Sequence, residues 1–261
     1  MPYAENRGMR IHYVVEGRGS PLVLAHGFAY DHRVWQNVVA ALRDEYLLIS
    51  FDARGHGASD KPHAFAAYTA RERAEDVVAV LDAVGVERAH YWGYSMGGWT
   101  AYALAAHAPE RVRSLVIGAA DAGRSGFDAF IGVDGSDYER FVAALEAIVG
   151  APLGEGFRNL LRRRDLRALA AIAQPRPSLE SVLPTMTMPC LLYAGALDDR
   201  SVDVEACARR MPNAEYMALP GLDHVRAFVR DAALVHVAAF LRHVVLCDQV
   251  GRNAIPTPLE D

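Results

Sequence analysis

The chain has 261 residues, enough to bury a core without disulfide or metal staples, and its 52% hydrophobic and 23% charged composition lies far from that of disordered chains. Its 27 basic and 32 acidic residues leave a formal charge of −5, so the surface repels phosphate polyanions and anionic lipid; neither nucleic acid nor a membrane is an expected partner. It has neither an apolar leader nor a run of about 18 apolar residues, and the three cysteines, Cys190, Cys207 and Cys247, lack C-x-x-C spacing. A reducing, cytoplasmic location is therefore expected, with no disulfide framework and no thiolate metal site.

Short apolar or β-branched runs alternate with longer stretches of helical period, which predicts an α/β fold with a mostly parallel sheet. In chain order, strands are expected at Arg10–Val15, Leu22–Ala25, Leu47–Phe51, His90–Trp92, Ser114–Ile117, Leu191–Ala194 and Glu215–Ala218. Helices are expected at Val34–Leu42, Ala70–Val84, Met96–His107, Val202–Arg210 and Arg226–His243. In the second of these Val77, Val80, Leu81 and Val84 fall on one face, as for a helix lying on a sheet. The alternation stops between Ala122 and Pro184, where the text is helical and polar with Gly-Pro punctuation. The expected organisation is a core of residues 1–121 and 185–247, a helical cap of residues 122–184, and an irregular tail of residues 248–261.

One motif carries chemistry. His90-Tyr91-Trp92 runs into Gly93-Tyr94-Ser95-Met96-Gly97-Gly98 and then into the alanine-rich stretch Trp99–His107, which is G-x-S-x-G between a strand and a helix. Glycines two positions either side of the serine let strand and helix pass closely while the serine takes a strained backbone conformation. A chance pentapeptide would lack the flanking strand and helix. A serine hydroxyl is a weak nucleophile and needs a base, whose tautomer an acid must hold. After Ser95 the histidines are His107, His224, His236 and His243, and only His224 lies in a loop between a strand and a helix, Leu219-Pro220-Gly221-Leu222-Asp223-His224-Val225. His224 is the expected base. For the acid, Asp198 emerges from a turn after the strand ending at Ala194, with Asp199 as a surface or helix-capping neighbour; Asp121 is a second station and Asp223 a third.

These residues resemble the α/β-hydrolase superfamily, specifically its serine-nucleophile, helically capped members. The resemblance runs nearly to His243 and includes the order Ser95, Asp198, His224, the segment His26-Gly27-Phe28, the loop Phe51-Asp52-Ala53-Arg54-Gly55-His56-Gly57-Ala58-Ser59, and Pro109-Glu110-Arg111-Val112. It implies the α/β-hydrolase fold, an oxyanion hole from the backbone amides of Phe28 and Met96, no cofactor and no metal. The loop from Asp52 to Ser59 is then scaffold, and so is the His26 imidazole. One departure is Asp223, where the family frequently has glycine before the base.

The resemblance implies a serine esterase or lactonase acting on a small to medium ester-like substrate. The serine excludes the epoxide hydrolases and haloalkane dehalogenases of this fold, which use an aspartate. Carbon–carbon hydrolases usually carry a tryptophan shortly after the histidine, where this chain has Val225-Arg226-Ala227-Phe228; perhydrolase-like members share Gly-x-Ser-Met-Gly-Gly, and some proteins of the fold are small-molecule receptors. The cap should choose the substrate. Of its aromatics, Phe127, Phe130, Tyr138, Phe141 and Phe157, helical spacing assigns most to packing; Arg158, Arg162, Arg163, Arg164 and Arg167 fan around a helix and read as solvated; Trp35, Trp92 and Trp99 read as core.

Overall fold

The computed structural model of the chain describes residues 2–123, 127–228 and 231–253. Eight strands form one sheet in the order β1-β2-β4-β3-β5-β6-β7-β8: β1 (Tyr3–Asn6), β2 (Met9–Gly17), β3 (Ser20–Ala25), β4 (Tyr46–Phe51), β5 (Ala89–Tyr94), β6 (Val112–Gly118), β7 (Cys190–Gly195) and β8 (Ala214–Leu219). β1 and β2 pair antiparallel, as do β2 and β4, and every other pairing is parallel. All seven expected strands are present. β1 is additional: its burial alternates with Ala4 and Asn6 inward, residues too small or too polar to mark a strand by hydrophobicity.

Helices α1 (Gln36–Leu42), α2 (Ala70–Val84), α3 (Met96–His107), α7 (Ser201–Arg209) and α8 (Asp231–Asn253) flank the sheet, and α4 (Tyr138–Val149), α5 (Glu155–Leu161) and α6 (Leu166–Ala173) form a helical insertion between β6 and β7. One sheet face packs on α2, α3 and α7 through residues such as Val77, Leu81, Leu104 and Val204; the other packs on α1 and α8 through Trp35, Leu42, Val237 and Leu241. A third cluster joins insertion residues Phe130, Phe141 and Leu169 to Ala29 and Tyr68, with Phe28 and Met96 packed against it.

α2 begins where the Thr69 hydroxyl accepts the Glu72 N–H at 3.2 Å and ends at Gly85, whose φ of 76° only glycine adopts without strain. Its buried face also carries charge, since Arg73 and Asp76 are buried beside Val77 and Val80. α3 is buried all round from Gly97 to Ala105, which fixes the position of its N-terminus under the insertion. The last helix starts later and ends later than expected: residues 224–228 form turns, and α8 continues to Asn253. The expected irregular tail is therefore helical at its start, because Asp248 to Asn253 contains no proline to break the helix; residues 254–261 lie outside the described residues. Among the described residues no helix is long and apolar enough to cross a membrane, and Cys190, Cys207 and Cys247 are free thiols.

Candidate active site

The parallel strands end along one edge, and the segments leaving β3, β5, β6, β7 and β8 meet there, as expected for sites on open α/β sheets. Ser95 occupies the one-residue turn between β5 and α3 with φ 52° and ψ −111°, a conformation that L side chains rarely adopt. The turn is held by the Ser95 N–H to Gly118 O at 2.7 Å and the Trp99 N–H to Ser95 O at 2.8 Å. A Cβ at Gly93 would sit 2.2 Å from Gly97 O, and one at Gly97 would sit 2.2 Å from Ala25 O, so both glycines are required by the crossing of strand and helix.

Asp198 follows β7 and His224 follows β8. The structure brings both to Ser95: Asp198 Oδ2 accepts from His224 Nδ1 at 2.7 Å, and His224 Nε2 lies 3.0 Å from Ser95 Oγ. Asp198 is buried, and burial alone would raise its pKa, but the bond and charge of His224 and the Arg200 N–H on Oδ1 outweigh that and hold it below its ordinary value. The Tyr94 hydroxyl, whose pKa burial pushes far up, donates to His224 O at 2.5 Å and fixes the loop from below. Asp223 points elsewhere: its Oδ1 accepts the N–H groups of Val225 and Arg226 at 3.0 and 2.7 Å. It shapes the loop as an Asx turn, which is how this loop dispenses with glycine. Asp199 is exposed, and Asp121 pairs with Arg200 Nη1 at 3.3 Å instead of reaching the imidazole.

Phe28 lies in the turn after β3. Its amide donates to no backbone carbonyl among the described residues, and Met96 as the first residue of α3 carries one of the helix's unsatisfied N–H groups. The turn is braced by two buried histidines. His26 Nδ1 bonds Gly27 O at 2.8 Å and its Nε2 accepts the Ala53 N–H at 3.0 Å; His56 Nδ1 bonds Arg54 O and its Nε2 accepts the Ala29 N–H, both at 3.1 Å. Burial pushes both imidazoles below the ordinary histidine value, His56 further. Unfolded histidines ionise near pH 6.5, so below that value the unfolded chain takes up protons that the folded chain refuses. The stability the pair contributes is complete above about pH 6.5 and is lost as pH falls toward the folded values, at up to about 1.4 kcal/mol per group per pH unit. His32 acts in the opposite sense, since its bond to Asp52 raises its pKa. The thermal midpoint is expected to fall from pH 7 to about pH 5, and to fall less steeply in His56→Asn; equal slopes by calorimetry would contradict it.

Asp52 is a scaffold hub that the sequence did not single out with its partners. Oδ1 accepts His32 N and Nδ1 at 2.8 and 2.7 Å, and Oδ2 accepts Ala58 N and His12 Nδ1 at 2.8 and 3.1 Å. The possible ligand atoms of His12, His32 and Asp52 lie within 4.8 Å of one another, and this hydrogen-bond network accounts for their clustering. Arg54 forms a buried bidentate pair with Asp76, with bonds of 2.5 and 2.6 Å.

Above Ser95 opens a cleft walled by Phe28, Met96, Phe127 and Ile172 and by Arg73, Trp99, Arg176 and Arg200. Of the five insertion aromatics only Phe127 lines it; Phe130 and Phe141 are buried edge to face with ring centroids 5.0 Å apart. Of the arginines expected to be solvated, Arg162, Arg163 and Arg167 are exposed, while Arg158 pairs with Glu146 and Arg164 with Asp31 outside the cleft. Trp99 is buried as expected but also walls the cleft, and Arg73 and Arg176 carry no sequence signal that marks them.

Residues 20–198 match the family model described as the alpha/beta hydrolase fold. The chain is 38% identical over 96 residues to 3-oxoadipate enol-lactonase 1 of Acinetobacter baylyi, a match covering 37% of this chain and 35% of that protein. Among solved structures, the enol-lactonase from Burkholderia xenovorans LB400 superposes with a TM-score of 0.79 at 24% identity, over 92% of this chain and 100% of that one. The esterase RhEst1 from Rhodococcus sp. ECU1013 superposes with a TM-score of 0.77 at 28% identity, over 93% and 98%. The chain spans 35% to 64% of the length of the curated relatives it matches.

Proposed function

The chain belongs to the alpha/beta hydrolase fold family, and from that premise we propose that it hydrolyses a carboxylic ester or lactone through an acyl-enzyme on Ser95. The observation that carries this reading is the continuous hydrogen-bonded series from Asp198 Oδ2 through His224 to Ser95 Oγ, with links of 2.7 and 3.0 Å. His224 Nε2 takes the serine proton as Oγ attacks the carbonyl carbon, and Asp198 holds the other ring nitrogen protonated and steadies the imidazolium. The negative charge that develops on the carbonyl oxygen falls to the amides of Phe28 and Met96 and to the positive end of α3. The imidazolium then protonates the leaving alkoxide. Water, deprotonated by the same imidazole, attacks the acyl carbonyl and releases the acid and free Ser95.

The similarity to an enol-lactonase and to an esterase supports ester or lactone bonds as the class. A fluorophosphonate that labels Ser95, followed by a panel of p-nitrophenyl esters, lactones and dienone ring-cleavage products, tests the reading. Labelling with ester or lactone turnover is expected. Absence of labelling, or turnover of a dienone far above any ester, would overturn it.

A further inference from the structure

Four buried nitrogen atoms around the cleft, Arg73 Nη2, Arg176 Nε and Nη1, and Trp99 Nε1, have no hydrogen-bond partner among the described residues. They form one group. The Arg73 and Arg176 guanidiniums lie 5.7 and 5.0 Å from the Trp99 ring centroid, and all three side chains line the cleft that holds Ser95. Neither arginine is paired with a carboxylate among the described residues. Asp76, one turn along α2 from Arg73, is taken by Arg54 and Asn6, and Asp121 by Arg200. Among the described residues the one side-chain bond of Arg73 is a long one, Nε to Tyr68 O at 3.4 Å.

A buried guanidinium without a counter-charge is costly, and two beside each other are more so. Burial and Arg54 pull Arg73 down to about 10, and burial with Arg73 pulls Arg176 well below the ordinary arginine value. Guanidinium nevertheless stays protonated at neutral pH, and its planar fork of N–H donors fits a carboxylate. The chain as a whole carries −5, so this positive pocket runs against the general charge.

We infer that Arg73 and Arg176, with the Trp99 indole N–H, form a carboxylate-binding subsite, so that the substrate is an ester or lactone bearing a free carboxylate. This rests on the hydrolase reading above. Arg73 comes from the core helix α2 and Arg176 from the segment after α6, so a bound carboxylate bridges the core and the insertion.

The test compares monomethyl succinate, glutarate and adipate with methyl butyrate, valerate and hexanoate, and 3-acetoxypropionate with propyl acetate, which places the charge on the alcohol side. At one chain length at least, kcat/KM for the acid ester should exceed that for its neutral partner by about tenfold or more. In Arg176→Gln and Arg73→Gln that ratio should fall to within about threefold of unity, mainly through KM, and Arg176→Lys should keep part of it. A variant that merely loses folded protein lowers both rates alike and leaves the ratio unchanged. Calorimetric binding of glutarate to Ser95→Ala, absent for glutaramide, tests the subsite without the chemistry. Ser95 labelling with neutral esters preferred throughout, and no glutarate binding, would overturn the subsite and leave the hydrolase standing; failure of labelling with glutarate still bound would do the reverse.

Discussion

Ser95→Ala should lower kcat for the best ester by a factor on the order of 10^5 to 10^6, about 7–8 kcal/mol of transition-state stabilisation, while leaving the fold intact. Among the described residues no other hydroxyl or thiol hydrogen-bonds the His224 imidazole, the Tyr94 hydroxyl being spent on the His224 carbonyl, so no second nucleophile stands ready when Oγ is removed. The residual rate should still exceed that in water, because the amides of Phe28 and Met96 remain. Alanine keeps the Cβ and the strained φ of 52°, so the thermal midpoint should stay close to that of the parent. Single-turnover kinetics beside a melting curve check both halves. A variant retaining more than about a thousandth of the parent kcat would remove Ser95 from its role.

Asp198→Asn should cost about 10^4 in kcat, with KM and the melting temperature changing far less. The reason lies in a bond that involves no catalytic atom. Asp198 Oδ1 accepts the Arg200 N–H at 3.0 Å while Oδ2 accepts from His224 at 2.7 Å, so both oxygens face donors. An asparagine has one acceptor. If its oxygen faces His224, its amide N–H2 meets the Arg200 N–H, donor against donor. If its oxygen takes the Arg200 N–H, the N–H2 donates to His224 Nδ1, the ring proton moves to Nε2, and the imidazole presents a donor to Ser95 Oγ where the attack requires an acceptor. The second arrangement leaves no donor conflict and disables the base. A tenfold effect or less on kcat would mean that the loop orients His224 without the acid.

The site and the fold were legible in the sequence to different depths, for reasons visible at particular residues. The turn carrying Ser95 depends on glycines two residues away, so its whole geometry is written within Gly93–Gly97. Asp198 and His224 could be chosen because each directly follows a strand marked by apolar residues. The strand β1 escaped because only Ala4 and Asn6 point inward, and α8 was misplaced because its apolar period begins before its backbone does. Arg73, Trp99 and Arg176 escaped for a deeper reason. Arg73 sits on the buried face of α2, Trp99 in the first turn of α3 and Arg176 after α6; nothing local to any of them says that they converge. The run from Arg158 to Arg167, where basic residues crowd together in sequence, lies outside the cleft, with Arg162, Arg163 and Arg167 exposed and Arg158 and Arg164 paired with Glu146 and Asp31. Crowding in sequence marked a solvated face here, and scarcity of partners in space marked the cleft.

Three residues other than glycine adopt positive φ in the segments that follow adjacent strands: Ala29 after β3, Ser95 after β5 and Ala119 after β6, at 66°, 52° and 49°. Each conformation costs on the order of 1–3 kcal/mol and persists only because the surroundings over-determine it. Ser95 carries the peptide whose N–H is that of Met96, Ala29 follows Phe28, and Ala119 lines the cleft, so the strained positions coincide with the walls of the proposed site. Selection for thermal robustness alone would favour glycine at these positions, relieving the backbone and loosening the segments that line the cleft. With alanine at two of the three, the edge of the sheet holds local backbone strain that the rest of the fold must be stable enough to carry.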